Sequence, residues 1–415
     1  MAAILGAVRR NWLLMNPPVA TKQDDALKIG ILGAASIAPL AVIIPAISHP
    51  EVIIQAVAAR DHARATEFAK KHGIPDIHNS YDALLDDPAI DAVYIPLPCG
   101  LHFEWALKAI AKGKHVLLEK PSCANAEEAE MLFNSPLLKR PGAPVLMEAF
   151  HSRFTPAWRL FLETIDRPNV EHALAALHLP AFPITDEDIR FVYELGGGAT
   201  LDAGTYTLAA LRSVFGAEPE VCVEAELGRM PPPREKCDKS FKAKLRFPGG
   251  GIGVMEGDMR GSNVPTNWSF PTITVTHRPV TVTDEKASEG EEVKKTRTVT
   301  FVNFLLSPAY HRIDVVDEFV VVKKGTSQVV RKYTKTETKK AYSFKEMGVD
   351  LPGEIYWQTY RHMVGQFVNR IRGREGSGVF ISPEDSIAQM KALDMVYEKS
   401  GLGPRPTSKF RLDAS

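Results

Sequence analysis

The sequence predicts a two-domain protein in which an α/β domain with a doubly wound parallel sheet precedes an α+β domain with a large, mostly antiparallel open sheet. In the first part of the chain, short apolar runs alternate with helical patterns, which is typical of a parallel sheet. After Arg153 this alternation stops and strand-like runs follow one another, which indicates antiparallel pairing. For 415 residues, two domains of about 100–200 residues each are expected.

The composition is that of an ordinary globular chain and argues against several kinds of partner. Fifty Lys and Arg residues balance fifty Asp and Glu residues, so no excess of positive charge favours a nucleic acid. No apolar run reaches the roughly 18 residues of a membrane span. The four cysteines form no CxxC pair and the histidines lack ligand spacing, so we expect a cytoplasmic protein with reduced thiols and no metal site.

Residues 1–26 precede the first strand as an N-terminal arm. Two arginines divide its apolar residues into short patches, which does not fit the single apolar core of a secretory peptide. We expect the arm to pack on the protein with Trp12 and Leu13 buried. A mitochondrial presequence is the alternative interpretation.

The first domain, residues 27–150, begins with the strand Leu27–Leu32, which leads into the turn Gly33–Ala38. A strand, a glycine turn and a helix in this order can hold a pyrophosphate on backbone N–H groups. Alanine stands at the second glycine of the G-x-G-x-x-G/A pattern, and it still allows close backbone approach if its φ is negative. The candidate dinucleotide contacts are Gly33, Ala35, Ser36 and Ile37.

The end of the second strand bears on the form of the cofactor. The strand run Glu51–Ala59 is followed by Arg60 and Asp61. In a dinucleotide-binding (Rossmann) domain, an acid here binds the ribose 2′-hydroxyl of NAD, whereas an arginine accommodates the 2′-phosphate of NADP. Because two alanines occupy the usual acid position and Arg60 follows them, the sequence favours NADP. Asp61 leaves NAD open.

Glu119 and Lys120 follow the buried strand His115–Leu118, and Pro121 prevents the strand from continuing. Ligands of open α/β sheets bind at the carboxyl ends of the strands. We therefore expect Glu119 and Lys120 at the binding cleft.

Two neighbouring strands supply further candidates at the same edge of the sheet. The run Asp91–Leu97 ends in Pro98, and His102 follows either as a residue near the cofactor or as a surface histidine. The run Val145–Ala149 leads towards Arg153, a weaker candidate for the substrate.

The second domain, residues 151–380, is predicted to hold successive strands. They are Ala173–Leu179, Val221–Leu227, Phe241–Phe247, Gly251–Met259, Thr272–Val282, Thr298–Phe304 and Asp314–Val322. The charged segments Asp284–Arg297 and Arg331–Lys340 are expected to be solvated loops or long hairpins. We expect the protein to form a homodimer or a homotetramer in which the open sheet is the interface.

The segment Gly196–Tyr206 is the second candidate centre of chemistry. Its three glycines let the chain pass close to a ligand, and Asp202 and Tyr206 stand four residues apart, on one face of a helix. Residues 381–415 are expected to form a helix that packs back on the first domain, followed by a loosely held tail after Pro404.

Several of these patterns occur in a recognisable order. They are Gly33-x-Ala35-x-x-Ala38, Pro98-x-x-x-His102, Glu119-Lys120-Pro121, Glu148-Ala149-Phe150 and Gly196-Gly197-Gly198-x-x-x-Asp202-x-Gly204-x-Tyr206. Together they resemble the glucose–fructose oxidoreductase / inositol dehydrogenase (Gfo/Idh/MocA) family, from about Leu27 to Gly401. The resemblance implies that Lys120 belongs to an active site with Asp202 and Tyr206 as partners, and it allows a cis bond before Pro121.

Within that family the strongest likeness is to dimeric dihydrodiol dehydrogenases and NADP-dependent D-xylose 1-dehydrogenases. The resemblance implies oxidation of a sugar ring hydroxyl, D-xylose to its lactone, with hydride transfer to NADP. A free tyrosine or lysine is a poor base at neutral pH, so we expect Lys120 to lower the pKa of Tyr206, the first choice of proton acceptor, and Asp202 to orient the substrate. Lys120 itself is the alternative proton acceptor. The alternatives are oxidation or reduction of a trans-dihydrodiol or a secondary metabolite, and a non-catalytic NADP-binding regulator.

Overall fold

The computed structural model describes residues 2–181, 183–261, 270–284 and 287–412. In these residues the helices are α1 Ala2–Met15, α2 Ile44–Ile47, α3 His62–His72, α4 Tyr81–Asp86, α5 His102–Ala111, α6 Ala126–Phe133, α7 Pro156–Thr164, α8 Thr205–Phe215, α9 Thr359–Ile371 and α10 Pro383–Ser400. The strands are β1 Leu27–Leu32, β2 Val52–Ala58, β3 Asp76–His78, β4 Ala92–Ile95, β5 His115–Leu118, β6 Leu146–Glu148, β7 Val170–Pro180, β8 Val221–Arg229, β9 Asp238–Arg246, β10 Ile252–Gly261, β11 Thr272–His277, β12 Val280–Val282, β13 Glu291–Val302, β14 Arg312–Lys323 and β15 Val329–Lys339.

The first sheet is parallel, with six strands in the order β3-β2-β1-β4-β5-β6. Its central strands are apolar and fully buried, as strands covered by helices on both faces must be. The strand order changes direction at β1, so a crevice opens beyond the carboxyl ends of β1 and β4. The predicted doubly wound domain is confirmed.

The second sheet has nine strands in the part of the chain described, in the order β15-β14-β13-β11-β7-β10-β9-β8 with β12 beside β13. Only the β7–β10 pair in this set is parallel, so the prediction of a mostly antiparallel sheet is confirmed. The long-hairpin alternative is confirmed for the two charged segments. Residues 291–297 belong to β13, which pairs with β12 in a hairpin, and residues 331–339 belong to β15, which pairs with β14. Lysines along β15 leave this sheet edge charged, which protects it against pairing with another chain.

The N-terminal arm packs differently from the prediction. Trp12 is 62% exposed and Leu13 is only half-buried, whereas Leu14 is buried. Arg10 donates hydrogen bonds to the carbonyls of Pro308 and Ala309, which lie in the second domain. Because Arg10 and Leu14 are four residues apart on α1, the face that carries them packs inward and Trp12 points outward.

The last helix lies against both domains. Helix α10 packs on α6 of the first domain and also on β8 and α8 of the second. The expectation that the following tail is loosely held is wrong, because Arg405 is buried and Ser408 donates its backbone N–H to Glu128. No helix in the described residues is long and apolar enough to cross a membrane.

Candidate active site

A cavity of about 410 Å³ lies at the carboxyl ends of β1, β4 and β5. The first domain lines it with Ala34, Ala35, Ser36, Ile37, Arg64, Pro96, Leu97, Pro98, Cys99, Glu119, Lys120 and Pro121. The second domain and α9 line the opposite wall with Ile189, Arg190, Leu195, Gly196, Gly197, Gly198, Leu201, Asp202, Tyr206 and Tyr360. The cavity therefore joins the predicted dinucleotide turn to the two predicted centres of chemistry.

Lys120 crosses this cavity to reach the second domain. Its Nζ atom donates to Asp202 Oδ1 at 2.6 Å and to the Asp202 carbonyl at 2.8 Å. Arg190 binds the other carboxylate oxygen through Nε at 3.1 Å. Burial would raise the pKa of Asp202, but the charges of Lys120 and Arg190 outweigh it and hold that pKa below its ordinary value. Asp202 is thus an ionised anchor for the lysine.

Tyr206 lies beside this ion pair but does not present its hydroxyl to the lysine. Lys120 Nζ is 4.7 Å from the centre of the Tyr206 ring, a cation–π arrangement. The hydroxyl is instead 3.1 Å from His151 Nε2. Burial, followed by the charge of Glu119, raises the pKa of Tyr206 well above its ordinary value. The expectation that Lys120 lowers this pKa is not met, and Tyr206 is a neutral phenol.

Two side chains that the sequence reasoning did not select, His151 and Tyr360, lie around Tyr206. His151 is buried, stacks on Tyr360 with ring centres 4.0 Å apart, and binds Thr359 Oγ1 through Nδ1 at 2.9 Å. Burial and then the charge of Lys120 lower the pKa of His151 to about 3, so this imidazole is neutral. The position of His151 just after β6 was a usable signal, whereas α9 has no motif that marks Tyr360.

Glu119 is fixed at the floor of the cavity. Tyr94 donates its hydroxyl to Glu119 Oε1 at 2.7 Å, and the backbone N–H of Lys120 donates to Oε2 at 3.1 Å. Burial raises the pKa of this carboxyl despite the opposing charge of Lys120. The bond between Lys120 and Pro121 is cis.

The turn after β1 has the form that a dinucleotide needs. Gly33 has a φ of +113°, and a Cβ there would lie 3.1 Å from Leu97. Ala34 and Ser36 continue from the cavity into a neighbouring groove of about 340 Å³, which Arg64 and Lys71 also line. The residues present therefore fit a phosphorylated dinucleotide.

The predicted cofactor residues after β2 have other positions. Arg60 is exposed and lines neither the groove nor the cavity. Arg64, which lies on α3, lines both of them instead. Asp61 caps α3 by accepting the backbone N–H groups of Ala63 and Arg64. The Asp61 carboxylate therefore binds the first turn of α3.

His102 and Arg153 do not line the cavity either. His102 is buried beneath it, with its ring nitrogens 2.9 Å from the Pro121 carbonyl and 2.7 Å from the Leu97 carbonyl, and it joins two loops of the wall. Burial lowers the pKa of His102 to about 4. Arg153 forms an ion pair with Asp385 of α10 on another side of the protein.

The glycine segment is held in place by the C-terminal tail. Arg405 donates through Nε and NH2 to the carbonyl of Gly197 and pairs with Asp238 at 3.0 Å. Asp238 also accepts the backbone N–H of Thr200 at 2.6 Å. A Cβ on Gly198 would lie 2.4 Å from both Arg405 and Asp238, so only glycine fits there.

Two family models match the chain. The Gfo/Idh/MocA oxidoreductase model with an NAD-binding Rossmann fold matches residues 27–138, and the Gfo/Idh/MocA C-terminal domain model matches residues 169–267. The chain belongs to the Gfo/Idh/MocA family. It therefore carries that family's NAD-binding Rossmann domain.

Curated relatives include enzymes of different specificity. D-xylose 1-dehydrogenase (NADP(+)) 2 of Haloferax volcanii is 39% identical over 47% of this chain and 59% of its own length. A dTDP-3,4-didehydro-2,6-dideoxy-alpha-D-glucose 3-reductase of Streptomyces antibioticus is 38% identical over 47% and 58%. Mouse trans-1,2-dihydrobenzene-1,2-diol dehydrogenase is 33% identical over 54% and 66%. The chain thus matches somewhat less than two thirds of the length of each relative.

Solved structures show the same fold over nearly the whole chain. A 3-ketoreductase of Actinomadura kijaniata, solved with NADP and TDP-benzene, matches with a TM-score of 0.67 at 24% identity, over 90% of this chain and 98% of that one. An aldose-aldose oxidoreductase of Caulobacter crescentus matches with a TM-score of 0.66 at 17% identity, over 91% and 98%.

Proposed function

We propose that this protein is an NADP-dependent oxidoreductase that transfers a hydride between nicotinamide and a carbon bearing a ring hydroxyl of a sugar. The observation that carries this proposal is the Lys120–Asp202 ion pair beside Tyr206, in a cavity that continues into the glycine turn after β1. D-xylose, oxidised to its lactone, is the first substrate to test, because a D-xylose 1-dehydrogenase is among the relatives.

The cofactor would lie along Ala34–Ile37 and past Pro98, with its adenosine end towards Arg64. When bound, it supplies or accepts the hydride. The remaining tasks belong to side chains of the cavity. Lys120, anchored by Asp202, donates a hydrogen bond to the substrate oxygen and stabilises negative charge on it. Tyr206 exchanges the proton of that oxygen, with His151 in contact with its hydroxyl.

Reduction of a sugar ketone is the second candidate, and the protonation state of Tyr206 favours it. Because the pKa of Tyr206 is raised, its phenol is protonated and carries the proton that a carbonyl oxygen must receive when it is reduced. Oxidation of an alcohol would instead require this phenol to lose its proton first. Several relatives are named as 3-reductases of a dTDP-linked keto sugar.

NADPH absorbance measured with a panel of sugars, trans-dihydrodiols and keto sugars, in both directions, tests the proposal. Turnover of D-xylose with NADP supports the first candidate, and turnover of a ketone with NADPH supports the second. Tight NADPH binding without turnover of any member of the panel would contradict both and favour a regulator.

The proposed position of the 2′-phosphate predicts the effect of Arg64→Gln. A hydrogen bond between charged groups is worth about 1.5–3 kcal/mol, so we expect the KM for NADP to rise roughly tenfold or more and the KM for NAD to stay unchanged. Arg60→Gln is the matched control, since Arg60 is exposed outside the groove. A larger effect of Arg60→Gln than of Arg64→Gln would contradict this position and show that Arg60 binds the 2′-phosphate, as the sequence predicts.

A further inference from the structure

A second cavity of about 520 Å³ lies on the other side of the start of α9 from the candidate active site. Tyr360 lines the active-site cavity, whereas the next two residues, Arg361 and His362, line this one. The residues Ser48–Glu51 of the first domain and the indole of Trp357 form other parts of its wall. None of the residues with proposed roles at the active site lines this cavity.

Arg361 is buried here near Glu51, whose charge acts on the pKa of Arg361 although Glu51 forms its ion pairs with other arginines. It is 4% exposed, and its guanidinium lies 3.9 Å over the ring of Trp357. The Nε and NH2 atoms make long hydrogen bonds of 3.3 and 3.4 Å to Ser48, and NH1 has no partner. Among the described residues, no carboxylate forms an ion pair with it. Burial of such a cation is costly unless a counter-charge is supplied.

The surroundings are positively charged as well. Lys22 and Arg374 lie close enough to act, with Arg361, on the pKa of His49, which burial and these charges lower to about 2. Glu51, a half-buried carboxylate of the cavity wall, is already paired with Arg374 at 2.8 Å and with Arg372 at 3.8 Å. The other acid of the wall, Glu354, is exposed to solvent. The local charge therefore favours an anion.

Two further features of the wall suit a ligand. His362 is 4% exposed and its Nε2 atom has no hydrogen-bond partner. Gly365 lines the cavity next to the guanidinium, and a Cβ there would lie 3.2 Å from Arg361 NH1. Because Gly365 has no side chain, it adds no carbon contact to Arg361 NH1, which is buried and has no hydrogen-bond partner.

We propose that this cavity is a second ligand site, which takes a small organic anion whose carboxylate or phosphate pairs with Arg361 and accepts a hydrogen bond from His362. A guanidinium matches the geometry of both groups. The cavity is larger than a bare phosphate needs and falls within the range of about 300–1,000 Å³ that is usual for small-molecule sites. Trp357 supplies an apolar surface for the remainder of the ligand.

Calorimetric titration of the full chain tests this site with inorganic phosphate, citrate and phenyl phosphate as probes, none of which is a sugar. NADP is kept at saturation so that phosphate groups do not enter the dinucleotide groove. We expect saturable binding of at least one probe, with a Kd that rises roughly tenfold or more in Arg361→Gln. Arg140→Gln, at an exposed arginine remote from the cavity, is the charge-matched control and should leave the Kd unchanged.

Gly365→Leu provides a second variant that keeps the arginine and fills the space beside it, and it should weaken binding to a similar extent. Thermal unfolding of each variant checks that it is folded. The proposal is overturned if no probe binds saturably to the wild-type chain, or if the folded variants bind it as tightly as the wild type. None of these outcomes depends on turnover, so they are separate from the test of the proposed function.

Discussion

Lys120→Met is expected to lower kcat/KM by about 10²–10⁴-fold, because the cation that holds the substrate oxygen next to Tyr206 is removed. The fold should survive this change, since Asp202 retains its ion pair with Arg190 at 3.1 Å. Most of the loss is expected in kcat, because charge on the substrate oxygen develops in the transition state. Initial rates on whichever substrate the panel identifies give the measurement.

Tyr206→Phe is the companion variant, and Lys139→Met is the control at an exposed lysine outside the cavity. Removal of the phenol alone should also cost about 10²–10⁴-fold in kcat if Tyr206 exchanges the proton. Should both Lys120→Met and Tyr206→Phe keep wild-type turnover while folded, the assignment of this site would be wrong.

The position of Lys120 could be anticipated because its signals are local. A buried strand must end at Pro121, and the carboxyl end of a strand in a doubly wound sheet faces the ligand crevice. The spacing of Asp202 and Tyr206 places both on one turn of helical chain, here a π-helical turn over Thr200–Gly204 that continues into α8. Such positions can be predicted because they depend on a single strand or helix and its neighbouring residues, not on contacts with distant parts of the chain.

His151, Arg190 and Tyr360 could not be anticipated in the same way. They come from three separate parts of the chain. Arg190 and Tyr360 line the cavity, and the packing of α9 against the loop after β6 brings Tyr360 onto His151. The same limit explains Trp12, since the apolar residues of α1 lie on more than one face. Contacts of Arg10 and Asn11 with the second domain determine which face is buried. Long-range contacts thus determine which of these side chains are brought together and which helix face is buried, and the periodicity of the sequence does not show this.

Arg405→Met is expected to lower the free energy of unfolding by about 3–5 kcal/mol, because it leaves Asp238 as a buried carboxylate without its cation. Both side chains of this pair are completely buried, at 0% exposure. The arginine also donates hydrogen bonds to the carbonyl of Gly197, which lines the cavity. We therefore expect activity to fall together with stability. Urea unfolding followed by circular dichroism measures the change in stability.

The double variant Arg405→Met with Asp238→Asn separates a missing counter-charge from a general loss of packing. Asparagine can still accept the hydrogen bonds that Thr200 donates, and it carries no charge, so the double variant should regain much of the stability that Arg405→Met loses. Arg411→Met, at an exposed arginine of the same tail, should change stability by less than about 0.5 kcal/mol. If Arg405→Met behaves like Arg411→Met, the tail does not hold the glycine segment, and other contacts must fix the part of the cavity wall that this segment forms.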